Sequence, residues 1–357
     1  MPQIKVGIIG YGAFGRFLHQ AWEKLPDLAV TAVSKRRLQP GGLGAIKVYP
    51  HWPDLINDPA IDLVVIATPP NLHAEIACAA LKASKHILIE KPLATTISAA
   101  EQIIRTAEGL PLVASVNFIL RYNPIVEALI AICHSGVLGQ LRRFAVENYA
   151  SDSGLPLDHW FWDQEVSGGI FIEHAVHFID LANQLTDQHP VAVTAFAHRR
   201  NPRQEDQVLA SVLYSGGLMA THYHHFARPH HLEETSIRLS FDRGQIEISG
   251  WIPLAGKLVA MVDPDEIGPL AALPGFKATA EPGHLTATFG INRSKEEIYA
   301  DCARALMMDL ITAIRRPGHR PRVTLADGLS SLLTAVQARE ASRQGSHPVV
   351  RTNGAPG

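Results

Sequence analysis

Cysteine is scarce in this chain: 357 residues hold three, Cys78, Cys133 and Cys302. An odd count at such wide spacing excludes a disulfide scaffold, and no CxxC pair offers a zinc site. Cys78 lies among alanines in a helical pattern and reads as a small buried apolar residue. An excess of one charge is missing too. Lysine plus arginine number 32 against 34 aspartate plus glutamate, a formal net charge of -2. With no basic excess to hold a phosphate backbone, nucleic acid is not an expected partner. No apolar run approaches the ~20 residues that span a bilayer. The start, Met1-Pro2-Gln3-Ile4-Lys5, lacks the charged and apolar regions of a secretory signal. A cytoplasmic protein with no membrane association is therefore expected. Internal repeats and long low-complexity linkers are also absent.

The composition is that of an ordinary globular protein, 46% hydrophobic and 18% charged. At this length two hydrophobic cores are the default. The pattern of the chain changes near residue 120, which predicts one domain over 1–120 and a second over 121–357. In the first, apolar strands at Ile4–Ile9, Leu28–Ser34, Asp62–Ala67, Lys85–Ile89 and Leu112–Asn117 alternate with helical patterns at 13–24, from about 72, and at 96–107. A short strand is expected near residues 46–49. That alternation predicts an α/β parallel sheet covered on both faces. In the second, a helix is expected over 122–134 and an extended stretch over 139–149. A loop rich in Gly, Pro, Trp and Asp runs to Gly169, and a strong helix follows over 170–185. Extended segments between 191 and 248 are separated by tight turns such as Gly216-Gly217 and Asp242-Arg243-Gly244, which predicts an antiparallel sheet. Two late helices are expected over 294–315 and 325–341.

The first strand runs straight into Gly10-Tyr11-Gly12-Ala13-Phe14-Gly15, the GxGxxG spacing of a dinucleotide-binding βαβ unit. Gly10 permits the tight turn, Gly12 lets the backbone approach a pyrophosphate, and Gly15 permits close helix–strand packing. The helix N-terminus then offers unpaired N–H groups to the phosphates. The second strand ends in Ser34-Lys35-Arg36-Arg37, with no carboxylate for an adenosine ribose. A serine followed by a basic run suits a 2'-phosphate, so NADP is favoured over NAD.

Lys91 lies just beyond the carboxyl end of a parallel strand, in Glu90-Lys91-Pro92, where ligands bind in open α/β sheets. In the helix after Gly168-Gly169, steps of 100° put Glu173, His177, Asp180 and Gln184 on one narrow face. Phe171, Ile172, Ala175, Phe178, Ile179 and Ala182 gather on the other. Such a stripe sets an imidazole beside a carboxylate that would orient it as a general base. A wet-face ion pair fits the same spacing. His222, His224, His225, His230 and His231 form a cluster in which 222 and 224 point the same way. No cysteine or clearly placed carboxylate completes a zinc set, so no metal is expected. Polar lining or surface imidazoles is the preferred reading. Trp160, Phe161 and Trp162 suit a ligand wall and core packing equally.

Taken in order, these motifs resemble the glucose–fructose oxidoreductase, inositol dehydrogenase and rhizopine catabolism family, abbreviated Gfo/Idh/MocA, over nearly the whole chain. Val64 to His73 resembles its strand–turn–helix, and Glu90-Lys91-Pro92 its tripeptide. Asn117-Phe118 and Arg121-Tyr122-Asn123-Pro124 resemble its crossing into the second domain. Gly168 to Asp180 resembles its active-site helix. The resemblance implies an N-terminal Rossmann parallel sheet and a C-terminal α+β domain with a large, mostly antiparallel sheet. It implies hydride transfer between NADP or NAD and a hydroxyl or carbonyl of a sugar, polyol or related compound, and a homodimer or homotetramer joined through open sheet faces. Lys91, His177 and Glu173 become the catalytic residues, with Glu173 standing where many relatives have aspartate. Cofactor binding falls to Gly10, Tyr11, Gly12, Ala13, Phe14, Gly15, Ser34, Lys35, Arg36, Ala67, Thr68, Pro69, Asn71, His73, Glu90, Lys91 and Asn117. The rival expectations are a non-catalytic dinucleotide-binding regulator on the same fold and a reductase of a non-sugar substrate. A metal-dependent hydrolase is a distant third.

Overall fold

The computed structural model describes residues 2–35 and 43–344. Six strands form the first sheet: β1 (Ile4–Ile9), β2 (Leu28–Ser34), β3 (Lys47–Tyr49), β4 (Leu63–Ile66), β5 (His86–Ile89) and β6 (Ala114–Val116). Their order is β3-β2-β1-β4-β5-β6, and every pairing is parallel. The strand order reverses beside β1, which leaves a crevice at the carboxyl edge of β1 and β4. Val6, Ile8, Val64, Val65, Ile87 and Leu88 have no exposure. Strands buried on both faces explain why they read as unbroken apolar runs. The covering helices are α1 (Ala13–Trp22), α2 (Trp52–Ile56), α3 (His73–Lys82) and α4 (Ile97–Ala107).

Helix α5 (Pro124–Ser135) leads into the second half of the chain. Asn123 caps its N-terminus by accepting from the Ile125 and Val126 N–H groups, with Pro124 at the first helical position. The second sheet has nine strands: β7 (Leu141–Ser151), β8 (Pro190–Asn201), β9 (Gln204–Tyr214), β10 (Met219–Arg228), β11 (Glu234–Phe241), β12 (Gly244–Ser249), β13 (Ala255–Ala260), β14 (Lys277–Glu281) and β15 (His284–Gly290). Their order is β14-β15-β13-β12-β11-β7-β10-β9-β8, antiparallel throughout except where β10 lies parallel to β7. After the short α6 (Gln164–Ser167), α7 (Val176–Gln184) packs on one face of this sheet against β10. The other face is open and carries Phe196, Met219, Val259 and Met261, each about half exposed or more.

Strands β13, β14 and β15 were not expected from the sequence. β14 is exposed along its whole length and so has no apolar alternation to read. The last helices, α8 (Lys295–Arg315) and α9 (Leu325–Arg343), start at Ser294–Glu297 and Thr324–Asp327 capping boxes. Both return to the first sheet's layer. The Trp22 indole donates to the Ala303 carbonyl at 3.0 Å, and the Ser115 hydroxyl to the Val323 carbonyl at 2.8 Å. Helix α9 thus packs on both sheets, against β6 of the first and β8 of the second.

Candidate active site

The turn after β1 is held by its own backbone. Gly10 has φ +92°, and its N–H and that of Tyr11 point to the Ser34 carbonyl at 3.3 and 3.4 Å. A side chain at Gly10 would run into the Ala67 carbonyl, 2.3 Å from an ideal Cβ. At Gly12 an added Cβ meets nothing within 4 Å, so the backbone there is open to a ligand. Gly12 also starts α1 with no side-chain cap, leaving the first N–H groups free for an anion.

Above this turn lies a groove of about 1350 Å³. Gly10, Tyr11, Gly12, Ala13, Phe14, Ser34, Lys35, Ala67, Thr68 and Pro69, all expected at the cofactor, line it. Arg36 lies outside the described residues. Gly15 sits under the turn, where an added Cβ would be 2.5 Å from the Gly10 carbonyl, so its part is packing. Two of the residues expected at the cofactor do not line this groove. Asn71 is exposed, and the wall in that stretch is Leu72 and Glu75. His73 is fully buried, its ring lodged between the Pro92 and Thr68 carbonyls at 2.8 and 3.0 Å, where it braces two turns instead of reaching a ligand. The sequence reading missed the wall formed by Pro50, His51 and Trp52, and it missed His159. The aromatic run 160–162 divides: Trp160 lines the groove, while Phe161 and Trp162 are buried.

Lys91 follows β5 at the carboxyl edge of the first sheet and, like Glu173 and His177, is not among the residues that line the groove. Its ammonium donates to the Glu173 carboxylate at 2.6 Å and to the Glu173 main-chain carbonyl at 2.7 Å. Glu173 belongs to a π-helical turn, Phe171–Ala175, that runs directly into α7. The left-handed Gly168 (φ +84°) opens this segment, and a Cβ there would sit 2.7 Å from Ile172. The wide turn breaks the regular 100° step. In consequence the expected stripe does not form a carboxylate–imidazole pair. Glu173 serves Lys91, and Asp180 accepts from Arg121 Nε at 2.8 Å and from the Ser331 hydroxyl at 3.2 Å. His177 and Asp180 are both buried, so the helix has no wet face there.

Burial drives the Glu173 carboxyl upward, but Lys91 and His174 overcome that and hold it below its ordinary value. His177 is pushed well below the usual imidazole range, first by burial and then by the Lys91 charge, with His174 and His224 adding to it. It is a neutral ring at physiological pH. Its Nδ1 is sealed from solvent without a partner among the described residues. Its Nε2 makes no hydrogen bond there either, but is not sealed. Trp251 packs edge-on against it, ring centroids 5.3 Å apart. Behind Lys91, Glu90 is buried and accepts from the Asn117 amide. Burial raises the Glu90 carboxyl to about 7, against the opposing pull of Asn117 and Lys91. Asn117 therefore acts on Glu90 from beneath the site.

The histidine cluster also divides. His222 and His224 have no exposure and pack toward α7, whereas His230 and His231 are at the surface. Among the described residues no group of three or more His, Cys, Asp or Glu side chains is disposed to hold a metal ion.

Two family models match the chain. Residues 4–118 match an oxidoreductase family model described as an NAD-binding Rossmann fold, and residues 126–247 match the GFO/IDH/MocA C-terminal domain. Levoglucosan dehydrogenase of Pseudarthrobacter phenanthrenivorans is 30% identical over 212 residues, 53% of this chain and 52% of that protein. An NADP(+)-named scyllo-inositol 2-dehydrogenase of Bacillus subtilis is 27% identical over 229 residues, 60% of this chain and 63% of that protein. The chain thus spans about half the length of the curated relatives it matches first, 56% and 52%. A solved levoglucosan dehydrogenase in complex with NADH and L-sorbose superposes with a TM-score of 0.81 at 21% identity, covering 96% of this chain and 97% of that one. At that identity the likeness is one of fold. No helix among the described residues is long and apolar enough to cross a membrane.

Proposed function

The chain belongs to the Gfo/Idh/MocA oxidoreductase family, and from that premise we propose that it moves a hydride between a nicotinamide dinucleotide and a hydroxyl or carbonyl carbon of a sugar or polyol. The observation that carries this reading is the meeting of Lys91, from the edge of the first sheet, with the His177 helix beside the dinucleotide groove. A nicotinamide dinucleotide supplies the hydride acceptor or donor when bound. In oxidation, His177 Nε2 takes the proton of the substrate hydroxyl. Lys91 donates a hydrogen bond to the same oxygen and stabilises the negative charge that develops on it. Glu173 fixes the ammonium from the other side through two acceptors. In reduction His177 and Lys91 return the proton.

Ser34 and Lys35 at the adenosine end support NADP as the preferred dinucleotide. The exposed apolar residues of the second sheet's open face support a homodimer or homotetramer joined there. The deciding experiment is a turnover screen with NADP and NAD against aldoses, inositols, anhydrosugars and their keto forms, read by nicotinamide absorbance. Oxidation or reduction of a member of that panel, abolished in His177→Ala, is the expected result. Dinucleotide binding without turnover on any of them would overturn the reading.

A further inference from the structure

A sheet ends in two edge strands, and each carries a row of backbone N–H and C=O groups with no ladder partner in the chain. Folded proteins blunt such edges by keeping them short, bulging them or covering them. Three of the four sheet edges here are treated in those ways. β3 and β6 are three residues long each. β8 begins at a proline, shifts register against β9 at three places, and packs against α9. β14 has none of these devices. It pairs with β15 residue for residue, from Lys277 with Thr288 to Glu281 with His284, without a bulge. It contains no proline, and all five of its residues are exposed. Among the described residues no strand lies beyond it.

Charge is the device that remains, and at β14 it is arranged to receive a copy of itself. Lys277 and Glu281 stand on either side of Thr279, each separated from it by one alanine. Lys277, Thr279 and Glu281 share one face of the strand. Thr279 pairs with Thr286, and Thr286 with the half-exposed Val259, so that face is the open one. We propose that β14 pairs antiparallel with the β14 of a second copy of this chain, about a two-fold axis through Thr279. In that register the Lys277 of each copy faces the Glu281 of the other, so the ion pair forms twice, and Thr279 faces its own copy. A slip of one or two residues leaves both charges with no charged residue opposite. Parallel pairing in register sets lysine against lysine and glutamate against glutamate, which is unfavourable. The alanines and the threonine between the charges have no bulk to hold two backbones apart. The axis stands perpendicular to the sheet, so both copies keep their open faces on the same side. The edge contact is therefore distinct from docking through that face and compatible with it. Five paired residues a side make a small contact, so the association is expected to depend on concentration.

The proposal is independent of the chemistry proposed above, and its test needs no substrate. Sedimentation of the full chain over a concentration series reads the association. Lys277→Glu and Glu281→Lys each turn two attractive pairs into two repulsive ones, and each is expected to raise the concentration needed for association about tenfold. The double variant Lys277→Glu, Glu281→Lys restores opposite charges across the axis and is expected to associate as wild type does. Thr279→Cys is expected to give a disulfide-linked dimer with oxidised glutathione. Facing residues of antiparallel strands have Cα atoms about 4.5–5.5 Å apart, within disulfide reach. Thr286→Cys, one strand further in, is expected to stay unlinked, because three strand spacings put its copy about 14 Å away. Wild type, with Cys78 and Cys302 buried and Cys133 half-buried, is the control. Unchanged association in both single charge variants, or a double variant as weak as the singles, overturns the proposal. So does a Thr279→Cys protein that stays unlinked or links no more than Thr286→Cys. A wild-type chain that sediments as a monomer at every concentration overturns it too, and leaves the edge to a strand of another protein.

Discussion

Lys91 and Glu173 are joined twice, ammonium to carboxylate at 2.6 Å and ammonium to main-chain carbonyl at 2.7 Å. Both side chains are about 13–14% exposed. One lysine therefore fastens the Glu173 turn to the edge of the first sheet and, in the proposed reaction, also supplies a charge near the reacting oxygen. The two roles separate by mutation. Lys91→Met is expected to lower turnover at least 100-fold and to destabilise the protein by on the order of 3 kcal/mol, because the buried Glu173 carboxylate loses its counter-charge. Adding Glu173→Gln removes the stranded charge. The double variant should regain most of the stability in a denaturant titration and none of the turnover. Recovery of both would place the role of Lys91 in structure alone.

The glycine turn offers a similar separation. Gly12 has open space where a Cβ would go and a backbone at φ −81° that any residue adopts. Gly15 has the Gly10 carbonyl 2.5 Å away. Gly12→Ala is expected to melt as wild type does while its Kd for the dinucleotide rises at least tenfold, since the methyl occupies the pyrophosphate's approach. Gly15→Ala is expected to lower Tm itself, as the helix must back away from the turn. Calorimetry with and without dinucleotide distinguishes them. Equal affinity in Gly12→Ala would remove the pyrophosphate from this turn.

Much of this was legible from the sequence, and the reasons are local. The apolar runs Leu63–Ile66 and His86–Ile89 are buried on both sides, so their pattern identified parallel strands without tertiary knowledge. The glycines at 10 and 15 announced the turn, because a Cβ at either would strike a backbone carbonyl. Partner choice was not legible. Glu173 and His177 are four apart in sequence, but a π turn between them sends the carboxylate to Lys91, 82 residues away in the chain. His73 looks like a ligand residue in a turn, and only the fold shows the carbonyls that surround it. His51 and His159 reach the groove from loops, whose course no periodicity encodes, and Trp52 from the start of the five-residue α2.

Cofactor choice should respond to a single carboxylate. Ser34 ends β2 and lines the groove with Lys35. Ser34→Asp puts an acceptor for ribose hydroxyls where a 2'-phosphate would sit, and it repels that phosphate. The ratio of kcat/KM for NADP to that for NAD is expected to fall at least tenfold, mostly through KM. An unchanged ratio would mean that the adenosine ribose lies away from Ser34.

Arg121 and Asp180 form a pair buried to 5% and 2% exposure that links the entry of the second domain to the active-site helix. Arg121 also donates to the Arg322 carbonyl at 3.0 Å, and its other arm lies 3.2 Å from Asp327. Asp180→Ala leaves the guanidinium buried with the Asp327 carboxylate as its remaining ion-pair partner, at a cost of about 3–5 kcal/mol. The double variant Arg121→Met, Asp180→Leu removes both charges and should lose far less. If the single variant loses under 1 kcal/mol in urea, the pair does not hold the helix.

Glu90 gives the chain a stability that depends on pH. Burial raises its carboxyl to about 7 in the folded protein, with Asn117 and Lys91 only partly offsetting the effect. In the unfolded chain the same group titrates near 4.3. Below that value both states are protonated and there is no penalty. Between the two values the folded state holds a proton that the unfolded state has released, so stability falls as pH rises. Above about pH 7 the folded carboxyl must ionise in a buried site, and the penalty is complete at no more than about 4 kcal/mol. Glu90→Gln keeps an oxygen for the Asn117 amide and has nothing to ionise. Its unfolding free energy should match wild type near pH 4.5 and exceed it progressively up to pH 8. A constant offset across that range, or an advantage confined to acid, would show that Glu90 is ionised in the folded protein at all these pH values and that Lys91 holds it so.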